Sequence, residues 1–113
     1  MHEISIMQAT LDLALTTAQA SAASQINALH LRIGAMTGVV PEALQFAFEA
    51  LRDGTIAAEA TLQIETVPAA CWCAPCAREF AAPDGYQACP ECGRASMELR
   101  HGLELELASI EVT

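Results

Sequence analysis

Two cysteine pairs constrain this chain more than any other feature. Cys73-Ala-Pro-Cys76 is followed, after twelve residues, by Cys89-Pro-Glu-Cys92. A tight turn in each CxxC aims two sulfurs at one point, and four thiolates make the tetrahedral shell that zinc prefers. The spacer is long enough for a hairpin to return, with Phe80 and Tyr86 supplying a small apolar core. Gly93 follows the second pair, where a positive φ is needed, whereas Ala77 holds the matching place after the first. A catalytic zinc keeps one coordination position open, and four cysteines leave none. The expected metal is therefore a structural clamp, whose binding energy of about 10–16 kcal/mol is also folding energy. A redox CxxC is the rival reading for one pair, but a second CxxC at this distance disfavours it. Cys71 stands outside the pattern. Its neighbour in the CxC is Cys73, and alternate positions of an extended segment do not make a knuckle, so Cys71 reads as a buried or free thiol.

Composition narrows the classes that such a clamp can serve. The chain has 113 residues, enough for one domain, or a small domain with a module attached. A chain this short buries about two-thirds of its unfolded surface, so a metal staple helps. Hydrophobic residues make up 53%, yet no apolar run approaches the roughly 20 residues of a membrane helix. No Lys or Arg precedes Arg32, so the start lacks the cationic region of a signal peptide. The expectation is a soluble, cytoplasmic protein. Five basic residues face fourteen acidic ones, for a net charge of -9. That balance argues against nucleic-acid binding, which needs clustered Lys and Arg, and fits a basic protein partner or a cationic cargo.

Periodicity supplies the scaffold. Ile4, Met7, Leu11, Ala14, Leu15 and Ala18 form one helical stripe over residues 4–20, and Ser5 with Gln8 has the form of a capping box. "INALHLRIG" alternates as a strand, with Leu29, Leu31 and Ile33 on one face. "GAMTGVVP" reads as a loop, and Pro41 opens a second helix that buries Leu44, Ala47, Phe48 and Leu51 before Asp53-Gly54. "EATLQIETV" alternates again, with Leu62 and Ile64 together. "LELELASIEV" puts Leu103, Leu105 and Leu107 on one face and then shifts parity to Ile110 and Val112, as a bulge near Ala108-Ser109 would produce. The expected fold is α+β: a three-stranded sheet covered by two helices, with a zinc-ribbon-like four-cysteine module inserted between two strands. Residues 1–68 plus 100–113 form one domain and residues 69–99 the other. A module inserted on two strands also permits domain swapping into a homodimer.

Three segments together carry a family resemblance. "MHEISIMQ", "LRIGAMTGVVPEALQFAFE", and "CWCAPC" with "CPECG" resemble the HypA/HybF nickel metallochaperones of NiFe-hydrogenase maturation, over essentially the whole chain. The resemblance implies a nickel-binding α+β domain joined to a zinc-binding domain, and no enzymatic turnover. It also implies delivery of Ni(II), with a HypB-type GTPase, to the hydrogenase large-subunit precursor; some members also serve urease. The family's nickel site lies around the start of the chain and maps here onto His2 and Glu3.

Ligand chemistry is consistent with that implication. The Met1 amine with the amide and imidazole of His2 can form fused chelate rings around Ni(II), and Glu3 adds an amide nitrogen or a carboxylate. Taken without the resemblance, a His near a chain end is usually solvated, and an acid before a helix can simply favour its dipole. Some relatives use an acidic side chain from the loop before the second helix. Here that loop carries Val40, which cannot ligate, and Glu42 is a weaker substitute. His30 and His101 read as solvated residues, and Met7 and Met36 as core. Two other classes compete: a zinc-ribbon nucleic-acid module, disfavoured by the charge, and a zinc-stabilised adaptor without nickel.

Overall fold

The structure, a computed structural model, describes residues 3–113. In chain order it contains α1 (Glu3–Ala20), β1 (Ile26–Gly34), α2 (Pro41–Leu51), β2 (Thr61–Val67), β3 (Ala70–Cys73), β4 (Arg78–Ala81), β5 (Leu99–His101) and β6 (Leu105–Val112). The strands make two three-stranded sheets, ordered β2-β1-β6 and β4-β3-β5. The chain divides into two compact units: residues 1–32, 38–65 and 106–113 form the first, and residues 33–37 and 66–105 the second.

In the first unit, α1 buries Met7, Leu11, Ala14 and Ala18, one stripe at spacings of three and four. The helix is already under way at Glu3, so the expected capping box at Ser5 does not form. Ser5 is exposed inside the helix, and the Gln8 side chain donates instead to Asp12 Oδ1 at 2.9 Å. An acidic residue in the first turn favours this earlier start, because it faces the positive end of the helix dipole. The helix ends in a Schellman arrangement. Ala22 takes φ 55°, its N–H donates to Gln19 O, and the Ala23 N–H donates to Ala18 O.

Pro41 sits at the start of α2, behind an extended Val40 that provides no side-chain cap. Leu44, Ala47 and Phe48 are buried, and Leu51 only partly. The Gln45 amide donates to Leu62 O at 2.7 Å and Arg52 Nη1 to Ala60 O at 2.6 Å, fixing α2 against β2 and the turn before it. On β1, Leu29 and Leu31 face the core, while His30 and Arg32 are half-buried between them. Arg32 reaches both neighbouring strands, donating to Glu65 at 3.4 Å and Glu106 at 2.8 Å.

The C-terminal strand departs from its expected pattern. Leu103 lies outside β6 and is 60% exposed, and Leu105 is 45% exposed. Along β6 the half-buried residues are Leu107 and Ile110, so burial changes parity across Ala108-Ser109. Leu103 precedes the strand and Leu105 is its first residue, so both fall ahead of the half-buried stretch.

The second unit is built on the β3–β4 hairpin. Its register runs from Ala70↔Ala81 to Cys73↔Arg78, and β5 pairs on the other side of β3. Cys71, Cys73, Phe80, Ala82 and Cys89 form its core. Tyr86, expected in that core, is instead 61% exposed. Cys71 and the cysteine pairs supply the apolar volume beside Phe80. Met36 is likewise not a core residue: it is 38% exposed, with its side chain against Gly85 and Gly102.

Candidate metal centre

Two short turns bring four sulfurs together. The first starts at the end of β3, where Cys73 is fixed by pairing with Arg78 across the hairpin. The chain turns through Ala74-Pro75, presents Cys76, and leaves through Ala77, which adopts φ 52° with its N–H donating to Ala74 O. The second turn repeats the device. Gly93 takes φ 77° and its N–H donates to Cys89 O at 2.9 Å, while the Cys89 N–H donates to Arg94 O at 2.8 Å. An antiparallel bridge between Ala88 and Ala95 closes its base. The Arg78 guanidinium then joins the two turns by donating to Glu91 at 2.7 Å.

The Sγ atoms of Cys73, Cys76, Cys89 and Cys92 all lie within 4.8 Å of one another, and Cys73 and Cys92 are 3.5 Å apart. A tetrahedral Zn–S distance of about 2.3 Å gives an edge of about 3.8 Å, so the cluster has the size of a zinc shell. All four are free thiols in this arrangement. Cys73 and Cys89 are buried, Cys76 is half-buried and Cys92 is exposed, so the shell has a dry side and a wet side.

The local electrostatics are those of thiols held closer than their charges allow. The neighbouring Cys73 sulfur, then that of Cys92 and burial, push the Cys76 thiol up to about 12. Backbone N–H groups of Cys92 and Glu91 bring Cys89 down to about 7. At Cys73 the Cys76 backbone N–H lowers the value, but burial and the facing sulfurs outweigh it and the net shift is upward. A divalent cation relieves this crowding by making every thiolate favourable at once. The donor set fits a structural zinc. Cys71 is fully buried and outside the cluster, with its thiol directed at Gly85 O at 3.7 Å.

The other candidate ligands are more dispersed. His2 lies outside the described residues. Glu3 is half-buried in the first turn of α1, and Glu42 is exposed in the first turn of α2. His30 is more than solvated: its Nε2 meets Glu111 at 2.5 Å. His101 sits between two carboxylates, Glu104 at 3.1 Å and Glu79 at 3.3 Å. Met7 is buried in the core, as its place on the helical stripe requires. Two features near the metal centre had no sequence signal. Ser96 is buried, with its hydroxyl 2.6 Å from Trp72 O, and the Arg100 guanidinium lies 4.3 Å from the centre of the Trp72 ring.

Comparison with known proteins gives one answer. Residues 1–112 match the family described as hydrogenase/urease nickel incorporation, metallochaperone, hypA. The chain belongs to the HypA family. It is 50% identical over 112 residues to the hydrogenase maturation factor HypA of a Picosynechococcus strain, covering 99% of each chain. To the HypA of Chloroflexus aggregans it is 41% identical, covering 98% of each. The solution structure of the Ni metallochaperone HypA from Helicobacter pylori superimposes with a TM-score of 0.69 at 25% identity, over 99% of this chain and 97% of that one. The HypA role of nickel delivery is that of a metallochaperone, and the four-cysteine cluster accords with the zinc such proteins hold. Among the described residues, no helix is long and apolar enough to cross a membrane.

Proposed function

We propose that this chain binds Ni(II) around His2 and Glu3 and hands it to the precursor of a NiFe-hydrogenase large subunit. The observation that carries the reading is the match over residues 1–112 to a nickel-incorporation family, with a four-thiol cluster in place. Nickel binding is assigned to the first unit and a structural zinc on Cys73, Cys76, Cys89 and Cys92 to the second. The His2 imidazole and backbone amide suit the nitrogen-rich geometry that Ni(II) accepts, and Glu3 contributes an amide or a carboxylate. Transfer proceeds by protein contact with a HypB-type GTPase in the cytoplasm and involves no catalytic turnover.

The test is nickel binding by calorimetry on the zinc-loaded chain and on its His2→Ala variant. Loss of the Ni(II) site in His2→Ala, with zinc content unchanged, is the expected result. Equal nickel affinity in both proteins would overturn the assignment.

A further inference from the structure

The arginines of this acidic chain are nearly all engaged. Arg32 lies between Glu65 and Glu106, Arg78 is paired with Glu91, and Arg100 is paired with Glu98 while stacking on Trp72. Arg52 donates to Ala60 O and stacks on Phe48. Among the described residues, Arg94 is the one arginine whose guanidinium has no partner, although the chain carries fourteen acidic residues. It does not face open surface alone. It lines a groove of about 420 Å³ whose other walls include Trp72, Pro75, Met97 and Glu98.

The composition of that groove is informative. Trp, Met and Arg are the side chains enriched at protein–protein contacts, and the volume falls within the range of binding clefts. Met97 is 87% exposed, the most exposed large hydrophobic residue described. Ser96 behind it is buried and satisfied by Trp72 O, so the floor is fixed rather than loose. The only carboxylate on the wall, Glu98, is already held by Arg100, so no carboxylate of the groove pairs with Arg94; Cys73 of the metal centre lines the same groove.

We infer that this groove docks an acidic segment of a partner protein, with an apolar side chain against Trp72 and Met97 and a carboxylate on Arg94. A guanidinium offers paired donors in the geometry of a carboxylate, and the apolar walls beside it give the segment's apolar side chain a surface to cover. The inference concerns the second unit and does not depend on the nickel assignment.

The probe is a pair of synthetic peptides, acetyl-Glu-Leu-Phe-Glu-amide and its counterpart with lysine in place of both glutamates. Each is titrated into the zinc-loaded full chain while the NMR signals of the Trp72 indole and the Met97 methyl are followed. The acidic peptide is expected to bind about tenfold tighter than the lysine peptide and to shift both signals. Arg94→Gln should erase that preference, Met97→Ser should weaken both peptides, and Arg32→Gln, on the other sheet, should change neither. Equal binding of the two peptides, no binding of either, or a preference that survives Arg94→Gln would each overturn the inference. Because nickel is absent throughout, a negative result here is separate from any result at His2.

Discussion

Gly34 and Gly102 pass each other with their backbones in contact: a Cβ at Gly34 would lie 2.1 Å from both the carbonyl carbon and the carbonyl oxygen of Gly102. The approach is held by three backbone hydrogen bonds. The Gly34 N–H donates to Glu104 O, Ala35 to Val67 O and Met36 to Gly102 O, at 2.7, 2.9 and 2.7 Å. Gly102 itself needs its φ of +123°, and a Cβ there would press on Ala69 at 3.0 Å.

A methyl group at Gly34 must displace backbone, and no flexible side chain can yield in its place. Gly34→Ala is therefore expected to cost about 1–3 kcal/mol, the range for overpacking a close contact. Urea unfolding should show the midpoint falling, and an unchanged midpoint would mean that the crossing is looser than this geometry.

Two alanines occupy positions where glycine is the natural residue. Ala22 at φ 55° ends α1, and Ala77 at φ 52° ends the first cysteine turn. The left-handed conformation costs a non-glycine residue about 1–2 kcal/mol, while glycine loses about 0.5–1 kcal/mol more backbone entropy on folding. Ala22→Gly and Ala77→Gly are each expected to stabilise by roughly 0.5–1 kcal/mol. Thermal unfolding of the zinc-loaded protein should show a higher Tm for both.

The turn at Ala77 is legible in the residues by analogy with the second pair, where Gly93 marks the position at which φ becomes positive. So are both helices and the existence of the three longer strands, although burial along β6 follows no simple period of two. The features that sequence leaves hidden share a physical cause. Strands β3, β4 and β5 have only three or four residues, too few to display a period of two, and they are fixed by pairing between distant segments. Leu103 and Leu105 alternate like core residues, but Leu103 lies outside any strand and Leu105 is the first residue of β6, ahead of its half-buried stretch. Tyr86 has the apolar ring of a core residue, but Cys71, Cys73 and Cys89 already fill the space beside Phe80. The unpaired state of Arg94 has no sequence signal either, since it emerges only after Glu91 and Glu98 are taken by other arginines.

Glu104 gives the stability a specific acid dependence. Its burial works against ionisation, but the Gly102 N–H, its own N–H and His101 outweigh that, and the carboxyl is held below the usual glutamate range. A depressed folded value means that the contribution is fully present above the unfolded value of about 4.3 and is lost as pH falls through the lower folded value. The stability difference between the parent chain and Glu104→Gln should therefore be larger at about pH 5.5 than at about pH 3.5, shrinking as pH falls through the lower folded value. Urea titrations at stepped pH measure it; a difference that grows toward low pH would contradict the assignment.

Zinc removal should act on one unit more than the other. Four crowded thiols, with Cys76 pushed up to about 12, cannot all ionise without a cation, so the metal-free cluster has no internal substitute for zinc. Structural zinc sites carry about 10–16 kcal/mol of apparent binding energy near neutral pH, comparable to the whole stability of a small domain. Trp72, the single tryptophan, lies in the second unit under Arg100 and reports on it directly. Chelation at pH 7 is expected to change its fluorescence cooperatively, while the far-ultraviolet helical signal of α1 and α2, both in the first unit, largely persists. Cys76→Ser should show the same fluorescence change at much lower chelator concentration. Protons taken up as zinc leaves should make release easier as pH falls, since thiolates must regain their hydrogens. Trp72 emission insensitive to chelator at every pH would show that the cluster is not where the chain holds zinc.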